Sequence, residues 1–257
     1  MKRIVPALFA TAALMFGLPQ SASSADLRPV AKAPPYASPA PYNWTGFYVG
    51  GHFGAGWGTV ESETTSVSVA GVGAIPLALP VSSHNVNGFL GGGQVGYNWQ
   101  ASPWLVLGIE GSFSGSGIEG KAPCVVGLFS CKTEVNWMAD ITGRLGVTVG
   151  DRALVYVKGG VAWADTDYSA TFNVVPGVTV NASANDTRVG GLLGVGVEYG
   201  FLQNWSAKLE YNYIDFGTEN LNFPVSITGV GAGISANVDV TQQIHTVKGG
   251  INYRFGY

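Results

Sequence analysis

Charge is scarce in this chain. Of 257 residues, 13 are Lys or Arg and 16 are Asp or Glu; charged side chains make up 11%, against 12% aromatic and 46% hydrophobic. Soluble domains typically carry about 25% charged residues, so this composition is poor in solubilising groups. No basic patch is present, which excludes a nucleic-acid footprint. Histidine occurs three times, as His52, His84 and His245, and cysteine twice, as Cys124 and Cys131. Two cysteines without a neighbouring histidine cannot complete a tetrahedral zinc site. Beyond the first 25 residues no apolar run approaches the roughly 18 residues that a spanning helix needs.

The chain opens on MKRIVPALFATAALMFGLPQSASSA: Lys2 and Arg3, an apolar stretch from Ile4 to Leu18, then small polar residues ending at Ala25. This is the layout of a secretory signal peptide, with an apolar core too short to span, and cleavage is expected after Ala25. Setting Lys2 and Arg3 aside leaves 11 basic residues against 16 acidic, a net charge of −5 from Asp26 onward. Export places Cys124 and Cys131 in an oxidising compartment, where a disulfide closing a small loop is expected. Residues 26–43, DLRPVAKAPPYASPAPYN, are rich in Pro and Ala and lack periodicity; they predict an extended spacer that packs against nothing.

An exported, apolar chain without a spanning helix can enter a bilayer only as a closed barrel, because lipid offers no partner to an unpaired backbone group. From Trp44 onward the sequence falls into segments of ten or more residues whose character alternates, the pattern of outer-membrane strands. Eight such segments can be read: WTGFYVGGHFGAGW, GFLGGGQVGYNW, WLVLGIEGSFSG, VNWMADITGRLGVTV, ALVYVKGGVAWAD, RVGGLLGVGVEYGF, WSAKLEYNYID and the terminal VKGGINYRFGY. Joins near Pro103, Asp151 and residues 200–204 are tight, whereas 58–87, 116–133, 168–187 and 218–241 are long and rich in Gly, Ser, Thr and Asn. The expected fold is therefore all-β: an eight-stranded antiparallel transmembrane outer-membrane β-barrel over residues 44–257, with long extracellular loops, short periplasmic turns and the 26–43 spacer in the periplasm.

Parity assigns the faces. One face carries Trp57, Trp99, Trp137, Trp163, Tyr199, Trp205, Tyr213 and Tyr257 near strand ends, where they would form two aromatic girdles at the membrane interfaces. The other carries Glu110, Asp140, Arg144, Lys158, Glu198, Lys208, Glu210, Lys248 and Arg254. Facing lipid, a mid-strand lysine would cost about 2–4 kcal/mol. Facing inward, the nine can pair as a polar core. Eight strands leave an interior just wide enough for side chains to fill, so no wide aqueous channel is expected. Trp104 breaks the pattern, falling on the inward parity at a turn.

The stretches YNWTGFYVGGHFGAGWG, LVLGIEGSFSGSGIEG, VYVKGGVAWA, WSAKLEYNYIDFG and HTVKGGINYRFGY resemble the small outer-membrane immunogenic proteins of alphaproteobacteria, a porin-family group that includes haemin-binding surface proteins. The resemblance implies a cell-surface barrel with a structural or weakly porin-like role in envelope integrity and no catalytic residues. It also implies recognition of the last strand, ending in Tyr257, by the barrel assembly machinery. Haemin is the one cofactor it suggests, with His84 or His245 as candidate ligands; neither the stretch AGVGAIPLALP nor the loop between the cysteines matches the family. Residues 91–96 satisfy G-x-G-x-x-G, but without a following helix the pattern reads as strand glycines rather than a nucleotide site. A barrel-embedded lipid-modifying enzyme is the remaining alternative, with His245 near the outer rim as its candidate base, but no catalytic, metal or cofactor residue is assigned, and no loop partner can be named.

Overall fold

A computed structural model describes residues 41–70, 73–124, 129–175, 178–227 and 230–255. The predicted leader, residues 1–25, lies outside the described residues, as do the spacer through Ala40 and the terminal Tyr257. Among the described residues, eight antiparallel strands pair in sequence order: β1 (Gly46–Val69), β2 (Gly73–Ser102), β3 (Leu105–Cys124), β4 (Phe129–Val149), β5 (Ala153–Val175), β6 (Val178–Gly200), β7 (Trp205–Ile227) and β8 (Val230–Phe255). β8 pairs back onto β1, from Phe47 opposite Phe255 to Val69 opposite Ile234, and closes the barrel. Through the apolar band this closure leaves no free edge, which is what lipid demands of a sheet.

Apart from Ile75 near the start of β2, the exposed large apolar side chains of the strands lie in one band around the wall: at residues 47–57 in β1, 89–99 in β2, 109–113 in β3, 141–149 in β4, 155–161 in β5, 189–199 in β6, 205–211 in β7 and 251–255 in β8. In the fullest strands the band is about ten residues tall, the length a tilted strand needs to cross hydrocarbon. At one end the joins are short, at Pro103 and Trp104, at residues 150–152 and at residues 201–204. Trp104, the parity exception, sits exposed in the first of these turns. At the other end the outward face changes character within two residues: Val189 gives way to Thr187, Asn185 and Ser183 on β6.

The sequence predicted long loops at that end; the structure instead carries the strands onward as hairpins. β1 runs 24 residues and β2 runs 30, well past the apolar band. Stretches such as TTSVSV and SITGVGAGISANVDV hold β-branched residues at alternate positions, and a segment of this length must pair its backbone groups somewhere. The extension is not a simple tube. The β2–β3 ladder ends at Asn87 opposite Glu119, and the β6–β7 ladder is interrupted between Ala182 and Gly191. Above the band the wall therefore opens along the β2–β3 seam and, across residues 183–190, along the β6–β7 seam. This leaves two four-stranded sheets, β7-β8-β1-β2 and β3-β4-β5-β6, that face one another across an apolar interior. They stay joined where Val180, Asn181 and Ala182 pair with Ile227, Ser226 and Val225.

A bulge corrects one parity assignment. Alternation from the outward Trp137 and the inward Asp140 predicts Val135 outward and Asn136 inward, but Val135 is 1% exposed and Asn136 lies on the outer surface. The register slips between Val135 and Trp137 against β5, and one extra residue exchanges the faces of everything beyond it.

Candidate functional site

The interior is built in three layers. At the short-turn end the chain crosses the barrel mouth before β1 begins. Tyr42 and Trp44 are buried there with Val106, Leu154 and Tyr156. The Tyr42 amide donates to the Asp151 carbonyl at 2.7 Å, and the Arg254 guanidinium donates to the Trp44 carbonyl. That guanidinium also lies 5.5 Å from the Tyr42 ring and 5.2 Å from the Trp44 ring. A Cβ on Gly200 would stand 2.3 Å from the Tyr42 ring, so only glycine leaves room for it. The spacer was expected to pack against nothing through Asn43; its last aromatic, Tyr42, is instead part of this plug, because an apolar ring beside an open barrel mouth gains by burial.

The middle layer brings together all nine charged residues picked out by parity, and each is buried. Glu110 lies at the centre. Lys208 donates to it at 2.8 Å, Lys158 at 3.3 Å and Arg144 at 3.5 Å. Arg144 reaches Glu198 at 2.8 Å, while Lys158 and Lys208 also hold Glu210 at 3.3 and 3.2 Å. Lys248 faces Asp140 at 3.6 Å and Arg254 faces Glu198 at 3.6 Å. Ser112 donates to Asp140. Each carboxylate thus meets at least one cation, the condition under which buried charge is tolerable.

Two tyrosines missed in the sequence complete this layer. The Tyr48 hydroxyl donates to Glu110 at 2.9 Å and accepts from Arg144 at 2.7 Å; the Tyr156 hydroxyl donates to Glu210 at 2.5 Å beneath the Arg144 guanidinium, which sits 3.9 Å from its ring. Each ring lies over a glycine in the neighbouring strand, Tyr48 opposite Gly96 and Tyr156 opposite Gly196, where a Cβ would approach within 2.4 and 2.5 Å. Their inward parity was the available signal. His52 belongs here too, with Nδ1 2.6 Å from Gln94 Oε1 and Nε2 2.7 Å from the Ser114 hydroxyl. The G-x-G-x-x-G stretch lies wholly within β2.

The third layer is apolar. Val60, Val86, Leu90, Ile118, Val135, Met138, Leu192, Ile214, Val240 and Ile244 form one buried cluster toward the hairpin end. Arg188 is enclosed beside it, donating to the Val240 carbonyl at 2.7 Å and the Gly217 carbonyl at 3.2 Å. The interior was expected to be polar throughout, and this half is not. Contact between the two facing sheets excludes water, and aliphatic side chains fill such a space without needing partners.

On the outside, Trp57, Trp99, Tyr199 and Trp205 are exposed, while Trp137, Trp163 and Tyr213 are half-buried at the wall; Tyr257 lies outside the described residues. His245 joins the ring nearer the hairpins, stacked on Trp57 at 5.9 Å with its Nδ1 2.7 Å from the Tyr211 hydroxyl. His84 is buried in the extension, its Nε2 3.0 Å from the Thr133 hydroxyl. Cys124 and Cys131 form the expected disulfide, closing the β3–β4 hairpin with Cα atoms 5.8 Å apart.

A family model described as Outer membrane protein beta-barrel domain matches residues 9–255. The chain belongs to the outer membrane protein beta-barrel family. It is 32% identical over 252 residues to the 31 kDa outer-membrane immunogenic protein of Brucella melitensis, a match covering 96% of this chain and 98% of the relative. The 22 kDa outer membrane protein of Rhizobium leguminosarum is 27% identical over 69% of this chain and 67% of its own length. Among solved structures, the outer membrane protein OprG from Pseudomonas aeruginosa overlaps 84% of this chain and 100% of its own at 12% identity and a TM-score of 0.43. The protein resides in the outer membrane, as the expected resemblance to immunogenic outer-membrane proteins implied.

Proposed function

We propose that this barrel is a non-enzymatic structural element of the outer membrane whose lumen is closed to steady solute flow and whose hairpins face the exterior. The carrying observation is Glu110, held by Lys208, Lys158 and Arg144 with every one of these side chains at most 3% exposed. A barrel of eight strands has no spare width beside such a cluster. In this reading residues 1–25 are a cleaved leader, the apolar band is solvated by membrane lipid, and the barrel assembly machinery takes the last strand as its signal. Planar-bilayer recording on refolded protein tests the closed lumen: rare, small openings are expected, and a large steady conductance would overturn it.

The haemin alternative has less support. His84 and His245 each spend a ring nitrogen on a hydroxyl, of Thr133 and Tyr211, and a single-histidine ligand is the arrangement haem iron would need from either. An absorbance titration with haemin, in wild type and in His84→Ala and His245→Ala, decides it: a Soret shift lost in one variant would establish the site.

A further inference from the structure

Between the two sheets of the extension, continuous with the top of the apolar layer, lies a cavity of about 170 Å³. Ala182, Phe223, Val225, Ala236 and Val238 line it, with Tyr168 at its floor and His84, Ser62, Thr64 and Thr133 along one side. Its walls are pinned. Tyr168 and Phe223 pack edge-on across the sheets at 6.4 Å, His84 and Thr133 bond across them, and Cys131, itself a lining residue, is tied to Cys124. The sheets therefore cannot simply collapse onto the space, and a wall held in place is one that costs little to organise when something binds.

We infer that this cavity is a binding site for a neutral, largely apolar molecule the size of a single six-membered ring, carrying at most one hydroxyl. Size gives the first argument: an apolar cavity of about 150 Å³ stays dry and accepts benzene, so this one holds one ring and not a fused system. The lining gives the second. Aliphatic and aromatic groups cover most of it, while the Ser62, Thr64 and Thr133 hydroxyls can each donate and accept, which suits one polar substituent. Among the described lining residues the one charged side chain, Lys132, is already paired with Glu134 and, at 3.6 Å, with Glu119, so a charged ligand would lose its hydration and meet a cation whose charge is already neutralised. Access needs no strand to unpair, since Ala182 and Phe223 stand at the break in the β6–β7 ladder. This site is separate from the charged lumen and does not depend on whether the lumen conducts.

Fluorine NMR of 4-fluorophenol against the full folded protein in amphipol tests the inference. The wild type is expected to show saturable line broadening, reversed by unlabelled phenol and not by benzoate. Ala236→Leu and Ala182→Leu, which fill the cavity, are expected to weaken binding at least tenfold, while Ser183→Leu on the outer surface leaves it unchanged. Folding of each variant is read from heat-modifiable electrophoretic mobility. Broadening that never saturates, equal competition by benzoate, or unchanged binding in a folded filled variant would overturn the site.

Discussion

The ammonium of Lys208 meets the carboxylate of Glu110 at 2.8 Å, although 98 positions separate them in sequence. They project from β7 and β3, on roughly opposite sides of the barrel, so their contact spans the lumen. Glu110 also faces Lys158 and Arg144, and its removal would leave three buried cations short of an anion. Glu110→Ala is therefore expected to destabilise the barrel by about 3–5 kcal/mol, the usual cost of breaking one side of a buried pair. Urea unfolding in lipid vesicles measures it, and an unshifted midpoint would mean that water already fills this layer.

The plug at the short-turn mouth couples the start of the barrel to its last strand. In a double-mutant cycle, Trp44→Ala and Arg254→Ala should show a coupling of about 1 kcal/mol from the contact of the guanidinium with the indole ring, since the bond to the Trp44 main-chain carbonyl survives the first substitution. Gly200→Val should displace Tyr42 and raise the exchange rate of the Tyr42 amide. Strict additivity of the two substitutions would show that the segment does not hold the mouth.

Vertical placement can be read from two outward positions on β6. Val195, 53% exposed, stands near the middle of the apolar band, and Asn185 lies ten residues beyond it on the same face. Val195→Arg should cost about 2–4 kcal/mol and Asn185→Arg less than about 1 kcal/mol. Equal costs in vesicle refolding would place the band wrongly.

Acid should loosen the extension first. Burial holds the His84 imidazole below its ordinary value of 6.5, so the folded hairpins disfavour its protonation. The unfolded chain binds this proton more readily, and the His84 contribution is intact above about pH 6.5 and declines as pH falls below it. Thermal melting of the extension, followed by near-ultraviolet dichroism, should drop across that window in wild type. In His84→Gln the same interval should be flat.

Where lipid and lumen make opposite demands on alternate residues, the fold could be read directly. From Val189 to Tyr199 every second residue must suit hydrocarbon, and Arg188 and Glu198 mark the other face. The charged layer was legible for the same reason, since Lys158 or Lys208 turned outward would stand in lipid. Beyond the band that contrast disappears. Residues such as Thr64, Ser66 and Ser68 meet water on one side and a mixed interior on the other, so their strand character resembles loop composition. The Asn136 bulge could not be seen, because one inserted residue leaves composition untouched. The apolar layer was more accessible than it seemed: Leu90, Leu192, Ile214 and Ile244 already stood on the inward parity beside charged neighbours. The plug by Tyr42 depends on a contact with Arg254 more than 200 positions away, which local pattern does not record.

Depth-resolved spin labelling tests the central claim most directly, that hydrocarbon touches the outward residues of the band while water meets the same face of the hairpins. Nitroxides at Val195→Cys and Asn185→Cys, in a cysteine-free background reconstituted into vesicles, should differ in their collision partners: oxygen should dominate at 195 and a water-soluble nickel chelate at 185. Ready access of the nickel chelate to position 195 would contradict the account.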